Sequence, residues 1–207
     1  MRWREIQEEI RRCSLVECEE EGVRGPPGSR VPPFEPEDVE ILFISEAPPL
    51  RAESYFYFEE REDKLRRNLF GVLGMAGFEV RDLRDFLSLG FFLLPTVKCP
   101  SQRRGRNAPP RRSVIRRCAE RFLFREVEFI KPSGICLLGR TAHYGFKLYL
   151  ERRGLKASLE LGKIFEVEIG GKKAKVVPSL WPAPRHRRLG EIALHIKGLW
   201  EEVRNEA

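Results

Sequence analysis

Five cysteines, two arginine-rich loops and one isolated glutamate carry most of the chemistry open to this chain. Cys13, Cys18, Cys99 and Cys118 stand in loops or at helix ends, whereas Cys136 lies inside the apolar run Ile135–Leu138 and reads as core. Such thiols do not suit a disulfide framework in a chain whose first residues, Met1 to Arg12, lack a secretory apolar region. Glu46 is the one acid in the turn Ser45–Pro49. A lone carboxylate at a strand end can face a developing positive charge or position a water. Arg103, Arg104, Arg106, Arg111 and Arg112 crowd a Pro/Gly-punctuated loop that follows Lys98, and Arg185, His186, Arg187 and Arg188 crowd another. Two cationic loops suit a phosphate backbone.

The elements that must position these groups follow from apolar periodicity. Val39–Ile44, Phe91–Val97 and Ile135–Leu138 are short apolar runs of the kind found in buried strands. Ile164–Ile169 and Ala174–Val177 flank Gly170-Gly171, a hairpin signal. Helical faces alternate with them: Trp3, Ile6 and Ile10; Leu65, Leu69 and Leu73; Val114, Ile115, Cys118 and Phe122; Ala142, Phe146 and Tyr149; Ile192, Ile196 and Leu199. Alternation of this kind predicts an α/β fold, a three-layer α/β/α sandwich with a central mostly parallel four-stranded sheet, in one domain over 1–207. Residues 1–36 form an N-terminal helix and loop carrying the first two cysteines. Ligands of such sheets sit beyond the carboxyl ends of the strands. There the loops Ser45–Phe58, Lys98–Arg112 and Pro178–Arg188 must converge.

Composition narrows the partners. Of 207 residues, 38 are Lys or Arg and 31 Asp or Glu, a net +7. Met1–Asp63 holds 8 basic and 17 acidic residues (−9), so the remainder holds 30 and 14 (+16). An acidic front and a basic rear favour nucleic acid over a membrane. No 18-residue apolar run exists, so a cytoplasmic monomer is expected.

Four segments in series resemble the uracil-DNA glycosylase superfamily, nearest its iron–sulfur branch, family four. Ile44-Ser45-Glu46-Ala47-Pro48-Pro49 resembles the first motif, G-E-A-P-G. Val97-Lys98-Cys99-Pro100 with the later Cys118 is similar to V-K-C-R-P and its helix cysteine. Lys131-Pro132 through Leu138-Gly139-Arg140-Thr141-Ala142 resembles R-P-x-x-I-x-x-L-G-x-T-A. Val177-Pro178-Ser179 to Trp181-Pro182-Ala183 is similar to L-P-T-x-H-P-A.

The resemblance implies a DNA glycosylase of base-excision repair that flips a deaminated or damaged base, from single- or double-stranded DNA, into the crevice. Glu46 takes the carboxylate role, Ala47 and Pro48 border the base, and Phe58 is the stacking ring. The last loop, with Arg185, Arg187 and Arg188, enters the DNA groove, and Lys98 joins the basic loop as a phosphate contact. Departures follow the same alignment. Pro95 stands where the family has the asparagine that reads uracil, and Trp181 stands in the place of a histidine. Trp181 then contacts base or sugar, and His186 is the imidazole that could substitute. Three readings stay open: a glycosylase of uracil-type or altered specificity, a catalytically silent nucleic-acid-binding relative, and an RNA-directed relative. Cys13, Cys18, Cys99 and Cys118 match the ligands of a [4Fe–4S] cluster, with C-x4-C in place of C-x2-C; zinc and no metal are the alternatives.

Overall fold

The computed structural model describes residues 2–28, 30–58, 60–61, 63–156, 158–183 and 188–205. In chain order the elements are α1 (Trp3–Arg11), α2 (Val16–Glu20), β1 (Ile41–Ser45), α3 (Lys64–Met75), α4 (Leu83–Ser88), β2 (Phe91–Pro95), β3 (Gln102–Arg103) and β4 (Arg106–Asn107). There follow α5 (Arg112–Cys118), α6 (Phe124–Ile130), β5 (Gly134–Leu138), α7 (Gly139–Arg152), β6 (Phe165–Ile169), β7 (Lys172–Ser179) and α8 (Leu189–Arg204).

The central sheet runs β2-β1-β5-β7-β6, and only the β6–β7 pair is antiparallel. Every residue of β1, β2 and β5 is buried, as parallel strands covered on both faces require. α8 packs on β5 and β7 with α3 beside it, and α7 packs on β1, β5 and β7, giving the three layers. The sheet has five strands rather than the four expected. Gly170 and Gly171, at φ 56° and 81°, turn β6 back along β7 and add it at the edge. That edge alternates burial, and its exposed Glu166 pairs with Lys173 and Lys175 of β7.

Four local features bear on the site. Asp63 caps α3, accepting from the Arg66 amide at 2.7 Å. α3 ends in a left-handed turn at Gly77, where the amides of Gly77 and Phe78 bond back to the carbonyls of Gly74 and Leu73. The helix expected from the Val114, Ile115, Cys118 and Phe122 face is interrupted by one wide π turn, Ala119–Leu123, which begins immediately after Cys118 and leads into α6. Within the basic loop, Arg104 and Gly105 at φ 51° and 72° close the small β3–β4 hairpin, which apolar periodicity could not reveal.

Candidate active site

β1 and β2 continue to pair past their ends. Ser45 O accepts from the Thr96 amide at 2.9 Å and the Thr96 hydroxyl at 2.6 Å, and Glu46 O accepts from the Val97 amide at 3.0 Å. This fixes the backbone of Glu46 at the carboxyl end of the sheet. Thr141, in the first turn of α7, donates to Glu46 Oε2 at 2.8 Å. Burial pushes the Glu46 carboxyl above its ordinary range, and the Thr141 bond opposes that shift. The turn is held from the N-terminal side as well. Arg30 donates to Pro49 O at 2.9 Å and to Leu50 O at 2.5 Å.

Glu46, Ala47 and Pro48 line a crevice of about 250 Å³ with Tyr55, Phe56, Leu93, Pro95, Asn68 and Trp181. That is just below the range of drug-sized pockets, roughly 300–1,000 Å³, and suits a single small ring system. Trp181 stands beside Gly139; a Cβ there would come within 3.2 Å of the Trp181 Cβ. Gly139 also has φ +84°, so both geometry and space call for glycine. Asn68 of α3 donates to Pro182 O at 2.9 Å, tying the last loop to the other side of the crevice.

Two expectations are corrected. Phe58 is not part of the crevice wall: it packs against Tyr55 and lines a separate groove with Phe34, Tyr57 and Leu83. The reason is Tyr57, whose hydroxyl accepts from the Leu93 amide at 2.8 Å and donates to Leu93 O at 2.9 Å. That anchorage on β2 sets the register of the aromatic run, and Tyr55 and Phe56 face the crevice instead. Lys98 is not a phosphate contact. It is buried, forms an ion pair with the buried Glu126, and donates to Pro95 O at 2.5 Å. Glu126 also accepts from Gln7 Nε2 at 3.2 Å, and Lys98 partly offsets the upward push that burial exerts on its carboxyl.

Arg103, Arg104, Arg106, Arg111 and Arg112 are exposed, and Arg112 lies over the Tyr144 ring. Arg188 is exposed and pairs with Glu191. Arg185, His186 and Arg187 lie outside the described residues. A wider groove of about 850 Å³ adjoins the crevice, sharing Pro49, Asp63, Lys64 and Asn107 with it. Arg24, Arg51, Arg61, Lys64, Arg67 and Arg106 line it. Three of these six cations, Arg24, Arg51 and Arg61, come from the acidic segment Met1–Asp63, whose net charge of −9 concealed them. Thr141 was visible in the sequence only as part of a motif, without a role.

Cys13, Cys18, Cys99 and Cys118 all line one small pocket between the N-terminal segment and α5, and none forms a disulfide. Burial and the three neighbouring thiols push Cys99 far up, and burial pushes Cys118 up to about 12. Two donors face the sulfurs: the Lys98 amide to Cys118 Sγ at 3.2 Å and Arg117 to Cys18 Sγ at 3.6 Å. Gly25 passes close by, where a Cβ would stand 3.3 Å from Cys13 O and 3.8 Å from Cys99 Sγ. Among the described residues, no group of three or more His, Cys, Asp or Glu is arranged to hold a single metal ion. Cys136 is fully buried in β5.

The loops after the first and last parallel strands thus enclose a half-buried carboxylate at the carboxyl ends of the sheet. The family model for the Uracil DNA glycosylase superfamily matches residues 32–204, and the chain belongs to that superfamily. It is also 30% identical, over 157 residues, to the type-4 uracil-DNA glycosylase of Archaeoglobus fulgidus, covering 74% of this chain and 70% of that protein. No helix among the described residues is long and apolar enough to cross a membrane.

Proposed function

We propose that the protein is a DNA glycosylase of base-excision repair that hydrolyses the N-glycosidic bond of a flipped, deaminated base. The observation that carries this reading is the half-buried Glu46 carboxylate, oriented by Thr141 in a base-sized crevice. As the glycosidic bond lengthens, the sugar becomes cationic and the base anionic. Glu46, ionised, faces the sugar or positions the attacking water. Thr141 fixes the rotamer of that carboxylate. Trp181 and Phe56 flank the base, and the amides of the Glu46–Ala47 turn supply donors to a base oxygen.

DNA reaches the crevice along the adjoining groove. Arg24, Arg51, Lys64 and Arg106 meet phosphates there, and the exposed arginines of the β3–β4 hairpin extend the track. Extruding a base costs a few kcal/mol, which these contacts offset. The silent-binder alternative has one observation in its favour: Pro95 lines the crevice with no side-chain donor or acceptor.

The four thiols around one pocket fit a [4Fe–4S] cluster. Cys13, Cys18, Cys99 and Cys118 would be its ligands, with N–H···S bonds from Lys98 and Arg117. Bound as thiolates, they would no longer bear mutual repulsion in a buried site. Such a group would supply a cross-link between residues 13–18 and the Cys99–Cys118 segment.

The test is incubation with labelled oligonucleotides, each single- or double-stranded and carrying one lesion: uracil, hypoxanthine, xanthine or thymine opposite guanine. Abasic sites after incubation with at least one deaminated base support the reading. Tight DNA binding with no abasic site from any lesion refutes it in favour of the silent binder.

A further inference from the structure

Most polar side chains around the crevice already have partners. Glu46 accepts from Thr141, Asn68 donates to Pro182 O, Asn107 accepts from the Leu50 amide, and Asp63 caps α3. Tyr55 differs. It lines the same crevice, it is 2% exposed, and its hydroxyl oxygen has no hydrogen-bond partner among the described residues. Two residues further on, the Tyr57 hydroxyl makes two bonds to Leu93. A buried hydroxyl left unpaired is costly, and folding normally provides a partner for it. A hydroxyl kept unpaired beside a binding crevice therefore points to a ligand.

We propose that the Tyr55 hydroxyl reads the edge of the base that enters the crevice, donating its hydrogen bond to a ring carbonyl oxygen. The proposal rests on the glycosylase reading and names the recognition group within it. Pro95 and Leu93 on the strand side carry no side-chain donor, whereas Tyr55, which lines the same crevice, carries a neutral hydroxyl that can donate and has no protein partner among the described residues. Burial, with Tyr57, Glu126 and Asp63 nearby, holds the phenol well above its ordinary range, so the group keeps its proton and can donate at any working pH. Donation matches a carbonyl, and deamination of a base creates a carbonyl where an exocyclic amine stood. The substrate class is thus a deaminated base, read by a phenol in place of a side-chain amide.

The decisive variant is Tyr55→Phe, which removes one oxygen and leaves the ring. Three quantities are compared with wild type: affinity for free uracil and free hypoxanthine by titration calorimetry, single-turnover excision, and the thermal midpoint. The expected result is a loss of about tenfold in affinity for the better-bound base and a matching loss in excision, the usual consequence of deleting one hydrogen bond. The midpoint stays unchanged or rises, because the deleted hydroxyl had no partner. A purely structural hydroxyl gives the opposite pattern, a lower midpoint with unchanged binding, and overturns the proposal. It is likewise overturned if wild type binds neither free base. Abasic sites formed equally by both proteins leave the glycosylase reading intact and refute Tyr55. Base binding that depends on Tyr55, with no abasic site from any lesion, upholds Tyr55 and refutes the glycosylase.

Discussion

Glu46→Gln isolates charge from geometry at the crevice. The amide is nearly isosteric, and its oxygen can still accept the 2.8 Å bond from Thr141, so the rotamer and the fold should survive. What disappears is one negative charge, and that charge matters only once the sugar becomes cationic. Two unit charges about 4 Å apart at an effective dielectric near 20 attract by about 4 kcal/mol. A partly formed cation in a half-buried site realises somewhat less, about 3 kcal/mol, or roughly two decades in rate. Single-turnover excision from a uracil oligonucleotide measures the step directly, and fluorescence anisotropy with an abasic oligonucleotide measures binding beside it. The expected outcome is a fall of about a hundredfold in the chemical step with product affinity within about twofold of wild type. Full activity in Glu46→Gln would refute the catalytic assignment. Equal losses in affinity and rate would mean that Glu46 supports binding rather than the transition state.

The other predictions concern the same neighbourhood. Burial raises the Glu46 carboxyl, and the ionised form is the active one, so excision should fail on acidification at a pH above that of an exposed glutamate; Thr141→Val, which removes the opposing bond, should move that acid limb higher still in a pH–rate profile. Replacing Arg24, Arg51 and Lys64 by glutamate should weaken binding to all DNA sequences alike and flatten the salt dependence by roughly 0.7 to 0.9 per lost phosphate contact, read from affinity against salt concentration. Lys98→Ala should cost about 3–5 kcal/mol of stability in denaturant titrations, because Glu126 is left buried and unpaired, whereas Lys98→Met with Glu126→Leu should recover most of it. Protein purified without oxygen should be brown and carry about four irons per chain, and replacing Cys99 by serine should abolish both; a colourless, iron-free protein would remove the cluster from the account.

The strands were legible because burial on both faces demands unbroken apolar runs, and Ile41–Ile44, Phe91–Leu94 and Ile135–Leu138 provide them. The sheet count was one short because β6 is half exposed and alternates, so its membership depends on pairing with β7 rather than on its own composition. α2 and α4, at five and six residues, are too short for a periodic signature. Glu46 stood out by its position in the turn after β1. Tyr55 could not be told from Phe58, because Tyr55-Phe56-Tyr57-Phe58 is uniformly aromatic and its register is set by a long-range bond from Tyr57 to Leu93. Lys98 read as part of the basic loop that follows it, since its partner Glu126 is remote in sequence and adjacent only in the fold.

That bond from Tyr57 has a bearing on how the protein behaves at high concentration. β2 is the outer strand of the sheet on its side, and its residues are uniformly apolar, Phe91-Phe92-Leu93-Leu94-Pro95. Left bare, such a border invites strand addition from another molecule and, from there, fibrous or amorphous association. The Tyr57 hydroxyl occupies both the amide and the carbonyl of the middle residue, and Pro95 offers no amide at the far end. A foreign strand would have to displace a buried tyrosine to gain a foothold. Tyr57 thus acts as a stopper on the sheet's border, so the phenolic oxygen that sets the register of the crevice aromatics also closes the strand edge to a second molecule.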